Sequence, residues 1–586
     1  MSKNSSSSNT GLKYRIIYEP TGISSTCSAG STILANTANL GLALRSDCGG
    51  KGRCGQCKVI TSDTKYIPPP NSNEQKLLTK LELRRGYRLA CSLRPFGDLR
   101  ITIPETSLDS HGPEIKNNLT SSCEPKPLVM RHIALHTDEL ITNNQESDLC
   151  SCLPTHYIPE DWNSDLSHSA LVQLSQLNSA SDLTLIAHRH FGITAILPGN
   201  QPCSLGVALD VGTTTLAAYL CDFSDGSVLA SASAANLQRR FGEDVISRIT
   251  YTLEHKHGTH IMKELVIKAM NQLINQCLKM VKCSVESIDE ICVVGNPTMQ
   301  HLCLGFNPNT LGSSPYRPIT CQSLNVRAES LGLCTRPDIN VHVFPIVSGF
   351  IGGDTIAAVL AAEIQRRSEI TLLIDIGTNG EIVLGNSERL WTTSCATGPA
   401  LEGAHINCGM RATTGAIDRV IIDPDTYQPT LHIIDETDRV SNPIGVCGSG
   451  IIDAVAEMIK TGIVLSSGRL REGCPGVVQD DKGIGREFLL WKSKSKEDSR
   501  RIVLSLSDIR QIQLAKAALS TGIQLLMKHS GYERFDRLIL TGAFGARFNW
   551  KNGILIGMLP EVPPNASVQI IENGAGYGAV KALLNS

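Results

Sequence analysis

No apolar run in this sequence approaches the roughly 20 residues that a helix needs to span a bilayer. Aromatic residues make up only 4% of the chain, too few for a series of base-stacking platforms. Neither sign of charge prevails: 54 Lys and Arg against 56 Asp and Glu leave a net charge of -2, no field to gather nucleic acid or an anionic surface. Nucleic acid and membrane are therefore not expected as partners. Residues 1–10 are rich in Ser and Asn and lack the apolar stretch of an export signal, so 1–12 read as a disordered tail and the protein as cytoplasmic.

What is present is a globular composition, 41% hydrophobic and 19% charged, over 586 residues, a length that suggests about four domains. Cysteine is plentiful, at 20 residues, in a chain far too large to need a disulfide framework. In a reducing compartment these are thiols and metal ligands.

Three of them stand in one run, DCGGKGRCGQC, which places Cys48, Cys54 and Cys57 in a C-x5-C-x2-C pattern, with Cys91 following after a long gap. Gly49, Gly50, Gly52 and Gly55 let the backbone wrap closely and turn its N–H groups toward thiolate and bridging sulfurs, as an iron–sulfur cluster requires. A structural zinc site on the same four cysteines is the competing assignment, but zinc spacing usually brings two C-x2-C pairs and only one is present. Around the loop, 13–19, 24–28, 58–60 and 99–103 have strand character, 33–44 and 73–83 read as helices, and 87–93 carries Cys91. CGGKGRCGQC with the later RLAC resembles a 2Fe-2S ferredoxin domain, nearer the adrenodoxin-like spacing than the plant-type one. The resemblance implies a β-grasp fold for 13–103 and a 2Fe-2S cluster on Cys48, Cys54, Cys57 and Cys91.

Residues 104–127 hold Ser, Asn, Pro and Gly with few large apolars and read as a linker, either a mobile tether or a mere spacer. A small α/β middle domain is expected over 128–203, with strands near 132–135 and 183–186 and a helix over 167–177 presenting Leu171, Leu174 and Leu177 on one face. Cys150 and Cys152, with His156 near, read as thiols in a polar loop, since no second ligand pair has metal spacing.

From 204 onward the texture is α/β and duplicated. A strand over 205–209 runs into the loop Asp210, Val211, Gly212, Thr213, Thr214, Thr215 and a return strand. A strand over 371–374 runs into Asp375, Ile376, Gly377, Thr378, Asn379, Gly380, Glu381 and its own return strand, 165 residues later. Each half then has a buried strand entering a glycine turn, Gly295 to Thr298 and Thr541 to Gly545, and a glycine-led helix, 349–362 and 574–584. Gly-Thr hairpins offer N–H groups and hydroxyls to phosphate oxygens. Asp210 and Asp375 can hold a hydrated Mg2+ between them, and with Glu381 they are the catalytic candidates. Gly542, Ala543, Phe544 and Gly545 let the backbone lie against the adenosine of ATP. The segments FGEDV with Arg248, GPALEG and GSG read as structural turns or caps, and 507–526 as an amphipathic core helix.

This half resembles the sugar kinase/actin/heat-shock-chaperone ATPase superfamily, with a ribonuclease-H-like fold in two halves, about 204–365 and 366–586. Its phosphate-1, phosphate-2 and adenosine motifs fall on Asp210 to Thr215, Asp375 to Glu381 and Thr541 to Gly545, though DIGTNGE has fewer glycines than the usual phosphate-2 loop. The resemblance implies two domains closing over ATP, with the two glycine-led helices as hinge. Over almost the whole length the chain resembles reductive activators of corrinoid proteins, through CGGKGRCGQC, RLAC, DVGTTT, GEDVISRI, GNPTMQHL, GGDTIAA, DIGTNGE, GPALEG, GSGIIDA, SDIRQIQLAKAA and LTGAFG. That resemblance implies ATP-dependent one-electron reduction of an inactive Co(II) corrinoid protein to Co(I) for methyl transfer, a low-potential electron donor and a homodimer. Two alternatives are an ATP-dependent donor to another low-potential enzyme and a non-redox kinase-like regulatory protein with a zinc head.

Overall fold

In the computed structural model the described residues are 12–20, 22–40, 44–46, 50, 52, 55–61, 63–104, 107, 125–136, 158–176, 182–242, 244–403, 406–410, 412–434, 442–480, 483, 485–493, 500–545 and 549–585. Cys48, Cys54, Cys150, Cys152 and His156, and most of 104–127, lie outside them.

The amino-terminal sheet has five strands in the spatial order Ile23–Ser28, Lys13–Glu19, Leu99–Thr102, Lys58–Ile60, Tyr87–Leu89. Lys13–Glu19 runs parallel to Leu99–Thr102, and the other pairings are antiparallel. The period-2 alternation of Lys13–Glu19 turns Ile16 and Tyr18 inward, onto Ile33, Val59, Leu89, Leu93 and Ile101. The helix expected over 33–44 ends at Asn39. The helix expected over 73–83 is two helices, Ser72–Leu77 and Lys80–Arg84. Leu78 is extended because Thr79 and Glu82 form a second capping box, and the new start outcompetes continuation of the first helix.

Val129–His136, Asp182–His188 and Gly192–Pro198 form an antiparallel three-stranded sheet, the last strand not anticipated from the sequence. Helix His168–Ser175, N-capped by Ser167, covers one face through Ala170 and Leu174. Leu171, expected on that face, is 40% exposed, because the apolar contact is made at 170 and 174. The other face packs Val129, Ile186, Ala195 and Leu197 onto Ala208, Tyr219, Cys221 and Phe223 of the following sheet. A buried ion pair fixes the joint: Arg131 donates to both carboxylate oxygens of Asp289, at 2.6 and 2.9 Å, and Arg336 donates to the same group at 3.1 Å.

The two halves that follow repeat one sheet plan. In the first the order is Val228–Ala235, Thr215–Asp222, Leu205–Val211, Ile288–Gly295, Asn340–Val343, with Leu324–Arg327 added at the edge. In the second it is Leu390–Cys395, Gly380–Gly385, Thr371–Ile376, Arg537–Thr541, Ser567–Ile570. Three antiparallel strands are followed in each by two that join in parallel. Two small three-stranded sheets and the helices Gly448–Lys460 and Leu506–Ser530 are inserted in the second half and build the largest core. The glycine-led helices cross between the halves. Gly353–Ala362, shorter at its start than the expected 349–362, sends Ala358 and Ala362 onto Leu373, Val383 and Ile539 of the second sheet. Gly574–Leu584 sends Ala575, Ala579 and Leu583 into the core of the first. They touch where a Cβ on Gly578 would lie 1.8 Å from the Ala357 carbonyl oxygen, so only glycine fits there. Among the described residues no helix is long and apolar enough to cross a membrane.

Candidate functional site

At the amino-terminal site Cys57 and Cys91 are buried, 1% and 9% exposed. Their segments are joined by the Ala90 N–H, which donates to the Cys57 carbonyl at 2.8 Å. Gly50, Gly52 and Gly55 all hold left-handed backbone, at φ 80°, 66° and 68°. That conformation favours glycine at these three positions. The donor set, the thiols of Cys48, Cys54, Cys57 and Cys91, fits a 2Fe-2S group. Behind the loop, Arg88 donates to both carboxylate oxygens of buried Glu74, at 2.9 Å each, and to the Pro68 carbonyl at 2.8 Å. Glu74 also accepts from the N–H groups of Leu89 and Asn71. Burial pushes the Glu74 carboxyl up, but Arg88 and the two amides outweigh it and hold it below its ordinary range. The pair ties the Cys91 segment to helix Ser72–Leu77.

The second site lies where the two duplicated halves face each other. Asp210 stands near the end of Leu205–Val211 and Asp375 near the end of Thr371–Ile376, with Glu381 directly across the hairpin from Asp375. Asp354, which the sequence motifs contained but did not single out, joins them from the first turn of Gly353–Ala362. Burial disfavours the charge of all four carboxyls, and Asp354 and Asp375 add to it. Burial, then Asp354 and Asp375, push Asp210 up to about 7, against a hydrogen bond from Asn573. Burial and then Asp354 push Asp375 up to about 7. Burial raises Asp354 to about 6, and burial, then Asp354 and Asp375, raise Glu381 well above its usual range. Such a cluster is relieved by a cation. Among the described residues no group of three or more His, Cys, Asp or Glu is arranged to hold a metal ion directly.

The hairpins meet across the cleft. Thr214 Oγ1 and Thr378 Oγ1 are 3.2 Å apart. Glu402 sits between them: Thr378 donates to its Oε1 at 2.6 Å, and Thr214 lies 3.2 Å from its Oε2. GPALEG, expected to be a structural turn, therefore delivers an acid to the site. Thr213 faces inward and its hydroxyl accepts from the Asn296 amide at 2.8 Å. Fully buried Arg248 donates to the Thr213 carbonyl and, at 3.1 Å, to Gln238, which props the first hairpin from behind. Gly212 gives way to the Thr215 carbonyl, 2.4 Å from where a Cβ would be, and Gly377 donates to the Asn379 carbonyl at 3.0 Å. Asn573, in left-handed backbone at φ 45°, donates to the Tyr219 hydroxyl at 2.8 Å and caps the last helix.

Gly542–Gly545 forms a four-residue helix. Gly542 lies against Asp375, Phe544 is buried in the large core, and Gly545 faces Leu540. The side chain of Ala543 lies outside the described residues. Asp354, Glu402, Asn296, Arg248 and Asn573 are thus the site residues that sequence reasoning did not assign. The first four lay inside motifs already quoted for the family resemblance.

Three matches to known families cover most of the chain. Residues 16–96 match the 2Fe-2S iron-sulfur cluster binding domain, 205–367 the RACo middle region, and 369–586 the C-terminal domain of RACo, the ASKHA domain. The corrinoid activation enzyme RamQ of Eubacterium limosum is 31% identical over 565 residues, 94% of this chain and 89% of its own length. The [Co(II) methylated amine-specific corrinoid protein] reductase of Methanosarcina barkeri is 23% identical over 390 residues, 61% of this chain and 66% of its own. A solved structure, of a reductive activator for corrinoid,iron-sulfur protein, superposes with a TM-score of 0.68 at 31% identity, covering 98% of this chain and 92% of that one.

Proposed function

The chain belongs to the family of reductive activators of corrinoid proteins, and from that membership we propose that it is the ATP-dependent enzyme that returns an inactive Co(II) corrinoid protein to Co(I) by one-electron transfer. The single observation that carries the proposal is the presence in one chain of a cluster-binding head and a two-lobed cleft whose facing hairpins present Thr214 and Thr378 to each other.

A 2Fe-2S cluster held by Cys48, Cys54, Cys57 and Cys91 supplies a one-electron carrier. The chain's own residues do the rest of the work there: glycines at 50, 52 and 55 take the left-handed backbone of the loop, and the Arg88–Glu74 pair holds the Cys91 segment in place. In the cleft, the N–H groups around Gly212 and Gly377 bind the phosphates of ATP, with Thr214 and Thr378 beside them, and Gly542 to Gly545 border its adenosine. Asp210, Asp375, Asp354 and Glu381 are the acids that would hold hydrated Mg2+, whose charge would offset theirs and the phosphates'.

Co(I) corrinoid is a very strong reductant, so the electron travels uphill. A one-electron gap of about 60 mV costs about 1.4 kcal/mol, so a few kcal/mol of differential binding covers about 100–200 mV. ATP-driven closure of the two halves, about the helices that cross at Gly578 and Ala357, supplies that difference by changing how the enzyme grips its corrinoid partner. The proposal includes a low-potential donor to the cluster and a homodimeric assembly. It is tested by iron and acid-labile sulfide analysis together with anaerobic reduction of a Co(II) corrinoid protein. Equal iron and sulfide with Co(I) formation is expected. A protein containing zinc and no sulfide would remove the redox assignment.

A further inference from the structure

Glu402 is placed with unusual care for a residue in a turn. It ends the short 3-10 helix Pro399–Glu402, between Gly398 and Gly403, both left-handed at φ 74° and 81°. Ala400 and Leu401 just before it are buried in the large core, 2% and 1% exposed. Two close approaches lock the turn. A Cβ on Gly448 would lie 1.7 Å from the Leu401 carbonyl oxygen, and one on Gly403 would lie 2.6 Å from the Met410 carbonyl oxygen. The acid that follows this rigid seat reaches the cleft and meets one hydroxyl from each half, Thr378 at 2.6 Å and Thr214 at 3.2 Å.

A count of hydroxyl protons sets the chemistry. Each threonine has one O–H to donate. Thr378 spends its proton on Glu402, and Thr214 has its own directed at Glu402 or at Thr378. The oxygens left facing the cleft are acceptors: the lone pairs of two hydroxyls and those of a carboxylate. Phosphate oxygens need donors, which the backbone N–H groups of the hairpins provide. An acceptor-only group beside them suits a molecule that brings its own hydrogens, namely water.

Resting on the assignment of the cleft to ATP, we infer that Glu402 is the catalytic base for hydrolysis of the terminal phosphate. Thr214 and Thr378 orient its carboxylate, and the carboxylate takes a hydrogen bond from the attacking water. The water oxygen forms a bond to the terminal phosphorus. The bond from that phosphorus to the β–γ bridging oxygen breaks, and ADP leaves with the electron pair. The proton released by the water passes to Glu402 and then to solvent. Because one hydroxyl comes from each half, the base is aligned only when the halves are together, so hydrolysis is tied to closure.

The test uses the full-length protein and Glu402→Gln, with Glu402→Asp as the conservative variant. ATP turnover is measured over a pH series, with nucleotide binding, thermal unfolding and cluster absorbance in parallel. Glu402→Gln is expected to bind ATP within about threefold of wild type and to lose about 100-fold or more in kcat, within the span usual for a general base. The acidic limb of its kcat profile should vanish, and Glu402→Asp should recover part of the rate. A kcat within about threefold of wild type, or a loss confined to KM, would overturn the inference and leave the ATP cleft standing. Binding without hydrolysis by the wild type would do the same. Failure of the wild type to bind ATP would remove the cleft assignment itself, and the base with it.

Discussion

Gly542 has no room for a side chain because Asp375 occupies it. A Cβ built on Gly542 would lie 2.3 Å from Asp375 Oδ1 and 2.6 Å from the Ile376 carbonyl oxygen, and its φ of +93° is outside the ordinary range of L-residues. The glycine of one motif is thus the wall against which the acid of another is set. Gly542→Ala would displace that carboxylate as well as strain the backbone by about 1–2 kcal/mol. ATP affinity should fall at least about tenfold, with iron and sulfide content unchanged. Isothermal titration beside cluster absorbance measures both, and unaltered ATP affinity would show that the contact does not matter to the cleft.

The reverse separation is expected at the head. Cys57→Ser or Cys91→Ser removes a thiolate from the cluster set, so iron, sulfide and visible absorbance should be lost together while ATP binding stays within about twofold of wild type. A parallel fall in ATP affinity would show that head and cleft are not separate units.

Much of this was legible in the sequence for local reasons. The Asp-x-Gly-Thr hairpins and the cysteine loop are short, glycine-marked and continuous, and their strands carry plain apolar runs. The split at Leu78 was also written locally, since Thr79 and Glu82 have capping-box spacing, but the apolar pattern of 73–83 hides it. What the sequence withheld is convergence. Asp354 and Glu402 come from segments far from either hairpin, and their meeting with Asp375 and Thr214 is created by tertiary packing. The crossing of the glycine-led helices is of the same kind: each follows its own half in sequence and packs into the other's sheet.

The Arg88–Glu74 pair predicts a stability effect confined to the head. Removing one partner of a buried pair leaves the other uncompensated and costs about 3–5 kcal/mol. Arg88→Ala should therefore unfold the cluster domain at lower denaturant than wild type while the larger cleft-bearing region melts as before. The pH dependence has a definite sign. The folded Glu74 carboxyl lies below its unfolded value, so its contribution is present above the unfolded value, about 4.3, and is lost as pH falls through the folded one. Guanidinium titrations of wild type and Glu74→Gln from pH 3 to pH 7 should converge at the acid end. Parallel curves across that range would contradict the assignment.

The cleft acids predict the opposite slope. Asp210 and Asp375 bind protons up to about 7 in the folded protein but only to about 4 when unfolded, so stability falls as pH rises between those values. Asp210→Asn should raise the melting temperature of the nucleotide-free protein at pH 7.5 and flatten its decline from pH 5. Added Mg2+ should stabilise the wild type more at pH 7.5 than at pH 5. Equal Mg2+ effects at the two pH values would show that these acids do not share a cation.

The role proposed for nucleotide in the cleft is to make uphill electron delivery from the head possible. Its most direct test is a single-turnover experiment: prereduced protein is mixed anaerobically with a Co(II) corrinoid protein, with and without MgATP, and Co(I) absorbance is followed. Co(I) should accumulate with MgATP and remain near baseline without it, and Gly542→Ala should behave as wild type without nucleotide. The same Co(I) yield and rate in the absence of nucleotide would contradict the coupling.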